Sequence, residues 1–319
     1  MPQVASLESE YRAVTEACGL LDRSERGKLA LTGSDAKSFL QGQVTNDVER
    51  LAAGKGCYAA FLTPKGKMLG DLRVLDTGDE LLLDTERVSL QALFNMIRRF
   101  SVGYDVQLHK RTLERGLLSL FGPDSDRIAG ATELSLEEHA HAVTAVEGIG
   151  VRAVRTELGL DLLCEASDSE ALAQALTERG AVPVSEETTE CVRVERGRPR
   201  YGVDLDETVI PQEAGLNERA VSFTKGCYVG QETVARLYYR GKPNRQLRGL
   251  LLSGPAHSGE ELSYEGRVVG RLATVAESPR FGTIALSLVR REAPPGAAVS
   301  VGEDGRSAQV VALPFGSAA

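Results

Sequence analysis

Among the five cysteines of the chain, Cys227 has the neighbours best suited to make a thiol reactive. The segment Val221-Ser-Phe-Thr-Lys-Gly-Cys-Tyr-Val-Gly-Gln-Glu-Thr-Val-Ala-Arg236 sets Gly226 and Gly230 around Cys227 and Tyr228. The backbone there can turn sharply or approach a ligand closely. Gln231 to Leu237 are good helix formers, which places Cys227 just before a helix N-terminus, with Lys225 two residues away. A cation and a helix N-terminus both favour thiolate, so the spacing points to a nucleophilic or redox sulfur. The same pattern also suits a small buried hydrophobe held in a turn, the usual state of a free cysteine.

Other residues carry weaker signals. From Thr233 to Gly249, Arg236, Arg240, Lys242, Arg245 and Arg248 stand with no acid between them. In an acidic protein this is a local positive field fit for an anionic tail or an acidic partner, and it also reads as a solvated linker. In Leu160-Asp161-Leu162-Leu163 an acid sits between apolar neighbours, which strand alternation alone reads as outward-facing. The four histidines, His109, His139, His141 and His257, lack metal-ligand spacing, and His139-Ala-His141 reads as surface ahead of a strand. No P-loop, dinucleotide fingerprint or Ser-His-Asp constellation stands out.

The elements that must position these groups follow from pattern and punctuation. With 319 residues and 42% hydrophobic content, the chain can bury a core in each of two or three domains. Residues 7 to 18 place Leu7, Tyr11, Val14 and Cys18 on one helical stripe with Ser6 as N-cap. A strand at 28–31, a helix capped by Ser34, paired strands at 57–63 and 68–75, a strand at 81–83 and a helix through Leu90, Leu93, Phe94 and Ile97 come next. Thr63-Pro64-Lys65-Gly66 has the Pro and Gly placement of a type I turn. The order then recurs: a strand at 117–121, a short helix after Pro123, strands near 142–146, 151–155 and 160–164, and a helix with Ser167 and Glu170 as capping box. A helix at about 186–196 leads to an irregular loop at 197–217, and short strands with tight turns fill the rest.

The expected fold class is therefore α+β. Two α+β subdomains of ferredoxin-like type, at about 20–110 and 111–196, form a ligand cleft and, with a motif segment at 197–240, make a region 1–240. A small antiparallel β-barrel follows at 246–319. No apolar run approaches the ~20 residues of a membrane span, and the polar start MPQVASLESEY lacks a secretory pattern. Scattered cysteines without a CxxC fit a reducing cytoplasm. The net charge of -8 speaks against direct nucleic-acid binding.

KGCYVGQE resembles the KGCYxGQE signature of the YgfZ-like folate-binding proteins, whose mitochondrial relatives serve iron–sulfur protein maturation. That family is related in fold to the glycine-cleavage T-protein, the aminomethyltransferase. Gly27-Lys28-Leu-Ala-Leu-Thr-Gly33, Phe39-Leu40-Gln-Gly-Gln-Val-Thr-Asn-Asp47, Leu62-Thr-Pro-Lys-Gly-Lys-Met68, Arg193-Val-Glu-Arg-Gly197 and Ile210-Pro211-Gln212-Glu213 match in order and spacing.

The resemblance implies a tetrahydrofolate-binding accessory protein for iron–sulfur cluster assembly or repair, with Cys227 functional and iron–sulfur enzymes as clients. The alternative it implies is an aminomethyltransferase passing a one-carbon unit from a lipoyl carrier protein to tetrahydrofolate. By similarity to the aminomethyltransferases, Asp161 takes the place of the pterin-binding acid. Asp71 aligns with the aspartate near the reactive folate nitrogens, although their two consecutive acids are here Gly70-Asp71. Tyr58 matches an aromatic of the same pocket, and Asp84 stands where they have an asparagine contact. Lys225 and Arg236 complete the expected binding set, and Cys227 and Asp71 the expected catalytic one.

Overall fold

The computed structural model describes residues 7–317. Ser6, the expected cap of the first helix, lies outside the described residues, as do the rest of the start before it and residues 318–319. The described chain divides into two compact units. One holds the chain up to Leu62, Leu69–Thr188 and Arg219–Val229; the other holds Thr63–Met68, Thr189–Glu218 and everything from Gly230 onward. Residues 189–218 and 230–240, assigned from sequence to the region 1–240, thus cluster with the barrel.

In the first unit, helix α1 (Leu7–Glu16) and strand β1 (Gly19–Asp22) precede the run β2 (Gly27–Thr32), α2 (Ala36–Gln41), β3 (Lys55–Leu62), β4 (Met68–Asp76), β5 (Leu81–Thr85), α3 (Leu90–Phe100), β6 (Gln107–Lys110). The same succession then repeats as β7 (Arg115–Phe121), α4 (Ser125–Ala129), β8 (His141–Val146), β9 (Ile149–Thr156), β10 (Gly159–Glu165), α5 (Ser169–Glu178), β11 (Val182–Pro183). The sheets obey one plan: β3-β4-β5-β2-β6 in the first and β8-β9-β10-β7-β1-β11 in the second, with β1 inserted before the last strand.

Strand periodicity explains how the sheets pack. Leu29, Leu31, Leu72, Val74, Leu81 and Leu83 point from the first sheet onto Phe39 and Leu40 of α2 and Leu93 and Ile97 of α3. Leu118, Leu120, Leu160 and Leu162 of the second sheet meet Leu172 and Leu176 of α5. The alternate residues Ala30, Leu75 and Leu82 meet Leu117, Val154 and Leu163, so the sheets pack face to face. Every strand of this interface is covered on both sides, the condition under which alternation stops reporting what is exposed.

Two expected caps are corrected. The helix after the Gly33 turn starts at Ala36 with Asp35 as its N-cap residue. Ser34 instead gives its hydroxyl to Asp105 at 2.9 Å. Ser167 falls in a 3₁₀ turn before α5 and its hydroxyl goes to Asp168, so no capping box forms. In both cases the hydroxyl donates to a nearby carboxylate.

In the second unit, strands β12 (Arg245–Leu252), β13 (Glu261–Tyr264), β14 (Arg267–Ser278), β15 (Gly282–Arg290), β16 (Ala298–Val301) and β17 (Arg306–Val311) close into an antiparallel barrel, order β12-β15-β14-β13-β16-β17. Glu265 and Gly266, at φ 49° and 76°, give the β13–β14 hairpin the primed turn that suits strand twist. The loop at 197–217 is anchored on Asp204, which takes Arg193 at 2.6 Å and the Thr274 hydroxyl at 2.7 Å. Among the described residues, no helix is long and apolar enough to cross a membrane.

Candidate active site

The face-to-face sheets bury a polar cluster beside their apolar contact. Asp71 and Arg73 lie on β4, Asp84 on β5, Tyr58 on β3, Asp161 on β10 and Ser119 on β7. Each is an even number of residues from an interface residue of its own strand, or hydrogen-bonds to a residue that is. Asp161, expected from alternation to face outward, is therefore buried, at 4% exposure.

Tyr58 donates its hydroxyl to Asp71 Oδ2 at 2.6 Å. Arg26, in the turn after β1, donates from Nε to Asp84 Oδ1 at 2.8 Å, and Arg73 donates from Nε and Nη2 to Asp84 Oδ2 at 2.6 and 2.5 Å. The remaining nitrogen of Arg73, Nη1, reaches Asp161 Oδ2 at 2.5 Å, linking the two sheets. Ser119 gives its hydroxyl to Asp161 Oδ1 at 2.6 Å. Arg219 stacks its guanidinium 5.3 Å from the Tyr58 ring centre and pairs with Glu138 at 2.5 Å.

This arrangement gives three carboxyls three characters. Burial pushes Asp71 up to about 6, opposed by the Tyr58 hydroxyl and reinforced by Glu86. Burial would also raise Asp84, but Arg26 and Arg73 outweigh it and hold that carboxyl well below its ordinary range. Asp161 is likewise held low against burial, by Arg73, Arg23 and the Ser119 hydroxyl. Tyr58 is pushed well above its ordinary value by burial and by Asp71, so it remains a phenol and a donor. Asp71 is thus the group whose proton can move near neutral pH.

Asp84, expected to touch folate, is fully buried and has both oxygens on arginines. It is the counter-ion of Arg26 and Arg73. Lys225 is likewise corrected: its ammonium donates to the carbonyls of Gln41, Val44 and Asn46 at 2.6, 2.7 and 2.8 Å. An ammonium has three donors, and all are used within the chain. The KGCY segment and the Gln-Gly-Gln-Val-Thr-Asn stretch are therefore one clasp. Burial lowers Lys225 to about 8. Burial pushes the nearby Cys57 thiol up to about 12 against the Lys225 charge. Cys227 is exposed, and all five cysteines are free thiols. Arg236 is exposed on the helix Gln231–Arg240 of the other unit.

His139 corrects the expected surface pair. It is buried with φ 69°, its Nδ1 has no partner among the described residues, and burial followed by the Arg73 charge brings it down to about 4. His141 is buried beside it in sequence and takes Arg152 Nη1 on its Nδ1 at 3.0 Å. Arg26, Arg73, Ser119, Arg219 and His139 were not singled out as site residues from sequence. The sheet register that assembles them is not visible in local pattern.

Gly70 has a packing reason. A Cβ there would lie 2.6 Å from the Phe61 ring and 2.7 Å from Ser89 Cβ, so no second acid fits. Gly70→Asp is expected to lower unfolding stability by at least ~1–3 kcal/mol in urea titrations, because overpacking adds to charge burial. One pleat beyond Asp84 and Asp161, a cavity of about 190 Å³ is lined in part by Leu82, Leu163, Arg115, Arg152 and Glu80. None of the candidate residues lines it.

Residues 2–225 match the family model of the GCVT N-terminal domain. The chain belongs to the GCVT family. This GCVT-family chain is 31% identical over 324 aligned residues to an aminomethyltransferase of Rubrobacter xylanophilus, covering 98% of this chain and 87% of that relative. Its fold is that of the glycine cleavage system aminomethyltransferase T of Bartonella henselae, with a TM-score of 0.87 at 23% identity over 97% of this chain and 89% of the other. The near-full-length match to an aminomethyltransferase overturns the expected iron–sulfur accessory function. In the GCVT chain described here, Lys225 of KGCYVGQE is spent on backbone carbonyls, so the lysine in that motif clasps a loop.

Proposed function

We propose that this protein is an aminomethyltransferase that passes a one-carbon unit from a lipoyl carrier protein to tetrahydrofolate, with the folate held at the polar face between the two sheets. The observation that carries this reading is the Tyr58–Asp71 pair: a buried carboxyl, brought up to about 6, beside an aromatic ring. Tetrahydrofolate is the acceptor substrate. As the folate nitrogen bonds to the aminomethyl carbon, the carbon's bond to the lipoyl sulfur breaks and the sulfur leaves as thiolate. The nitrogen loses its proton, and Asp71 above its titration point is the base placed to take it. Tyr58 keeps its own proton and fixes the carboxylate by donating to Oδ2.

The donor set fits a reduced pterin. Asp161 spends one lone pair of each oxygen on Arg73 and Ser119, leaving one on each for the paired N–H donors of an aminopyrimidine edge. The unpartnered Nδ1 of neutral His139 is a further buried polar atom available to a ligand. Asp161→Ala would leave those pterin donors unpaired, and tetrahydrofolate affinity is expected to fall by ~1.5–3 kcal/mol, roughly ten- to a hundredfold by calorimetry. Unchanged affinity would place the pterin elsewhere. The function itself is tested by intact-mass measurement of an aminomethylated lipoyl carrier mixed with catalytic amounts of the protein. Loss of the adduct over many turnovers, only with tetrahydrofolate present, is the expected result; an adduct as persistent as in buffer would refute the assignment.

A further inference from the structure

We propose that Arg73 is a positioning residue of the folate site, orienting the Asp161 carboxylate from the opposite sheet while Asp84 holds Arg73 in place. The inference rests on the folate reading above. Its ground is the geometry of one guanidinium: Nε and Nη2 are fixed on Asp84 Oδ2, which leaves Nη1 aimed at Asp161 Oδ2 at 2.5 Å. A guanidinium is planar and rigid, so anchoring one side fixes the direction of the other. Ser119 sets the second oxygen of Asp161 at 2.6 Å, so the carboxylate plane is fixed from two strands.

The fully buried carboxylate of Asp84 explains why an arginine is needed here. A buried carboxylate must be paired, and Arg26 and Arg73 both pair with it. Arg73 then carries that compensation across to Asp161. The charged and titratable groups facing Asp161 are Arg73 and Asp84 of the first sheet, Arg23 and Arg26 of the turn after β1, and His139 ahead of β8. His139 is neutral near pH 7, so Arg73 is the cation in contact.

Tetrahydrofolate binding is measured by calorimetry from pH 5 to 8 on wild type, Asp161→Asn, Arg73→Met and Arg73→Lys, each checked for folding by circular dichroism. Arg73→Met is expected to bind roughly tenfold more weakly at pH 7.5. It is also expected to lose affinity at a higher pH than wild type, because the carboxylate no longer has a cation against it. Arg73→Lys keeps the charge without the fork, so it should restore the pH profile while affinity stays weak. Wild-type affinity and pH profile in a folded Arg73→Met overturn the proposal. Should Arg73→Met not fold, wild-type affinity in Arg73→Lys does the same. The folate reading fails separately, if wild type does not bind tetrahydrofolate or Asp161→Asn binds it unchanged.

Discussion

Asp71→Asn is expected to slow aminomethyl transfer by roughly 10²- to 10⁴-fold, the usual worth of a positioned general base. Asparagine keeps the shape of the side chain and can still accept the Tyr58 hydroxyl through its amide oxygen, so folate affinity should change by no more than about threefold. What it cannot do is take a proton. In wild type the rate should rise with pH through about 6, as the buried carboxyl ionises, and this limb should vanish in the variant. Stability supplies an independent sign. The folded carboxyl titrates above its unfolded value of 3.8, so its favourable contribution is complete below 3.8 and lost as pH rises through about 6. At pH 7 the neutral asparagine avoids that loss, and Asp71→Asn should be at least as resistant to urea as wild type. Lower activity without lower stability is the signature of a group kept for chemistry.

Asp84→Ala has the opposite signature: a loss of ~3–5 kcal/mol in urea unfolding, because two buried guanidiniums are left without their shared counter-ion. Arg26 keeps Glu86 and Arg73 keeps Asp161, so the cluster is expected to loosen without abolishing the fold. The carboxyl is held well below its ordinary range by these arginines, against burial. Its contribution is therefore present above the unfolded value of 3.8 and lost only as pH falls through the depressed folded value. The difference between wild type and variant should accordingly be constant from pH 5 to 8. A variant within 1 kcal/mol of wild type would mean that the pairs are solvent-relaxed and contribute little.

Local periodicity and turn residues were enough to read the repeated strand, helix, three strands, helix succession and the barrel that follows it. They could not reveal that β1 enters the second sheet between β7 and β11, since strand order depends on contacts between segments far apart in the chain. The buried position of Asp161 was hidden for a related reason. Alternation distinguishes the two faces of a strand, but β10 is covered on both, by α5 on one and by the first sheet on the other. Lys225 was misread because neighbours in sequence suggested Cys227 as its partner, whereas its acceptors are carbonyls some 180 residues earlier. Tyr58, Asp71 and Asp161 were expected through family resemblance. The arginines that divide the carboxyls into one titrating and two fixed were not, because Arg26 and Arg73 look like surface charges until the sheets are stacked.

The most direct test of the account uses a lipoyl carrier whose aminomethyl carbon is ¹³C, mixed with the protein and tetrahydrofolate and followed by NMR. The label should move from the carrier to the folate over many turnovers, with a rate that rises through pH 6 in wild type and falls at least a hundredfold in Asp71→Asn. Tight binding of tetrahydrofolate with the label left on the carrier, at the rate seen without protein, would contradict it.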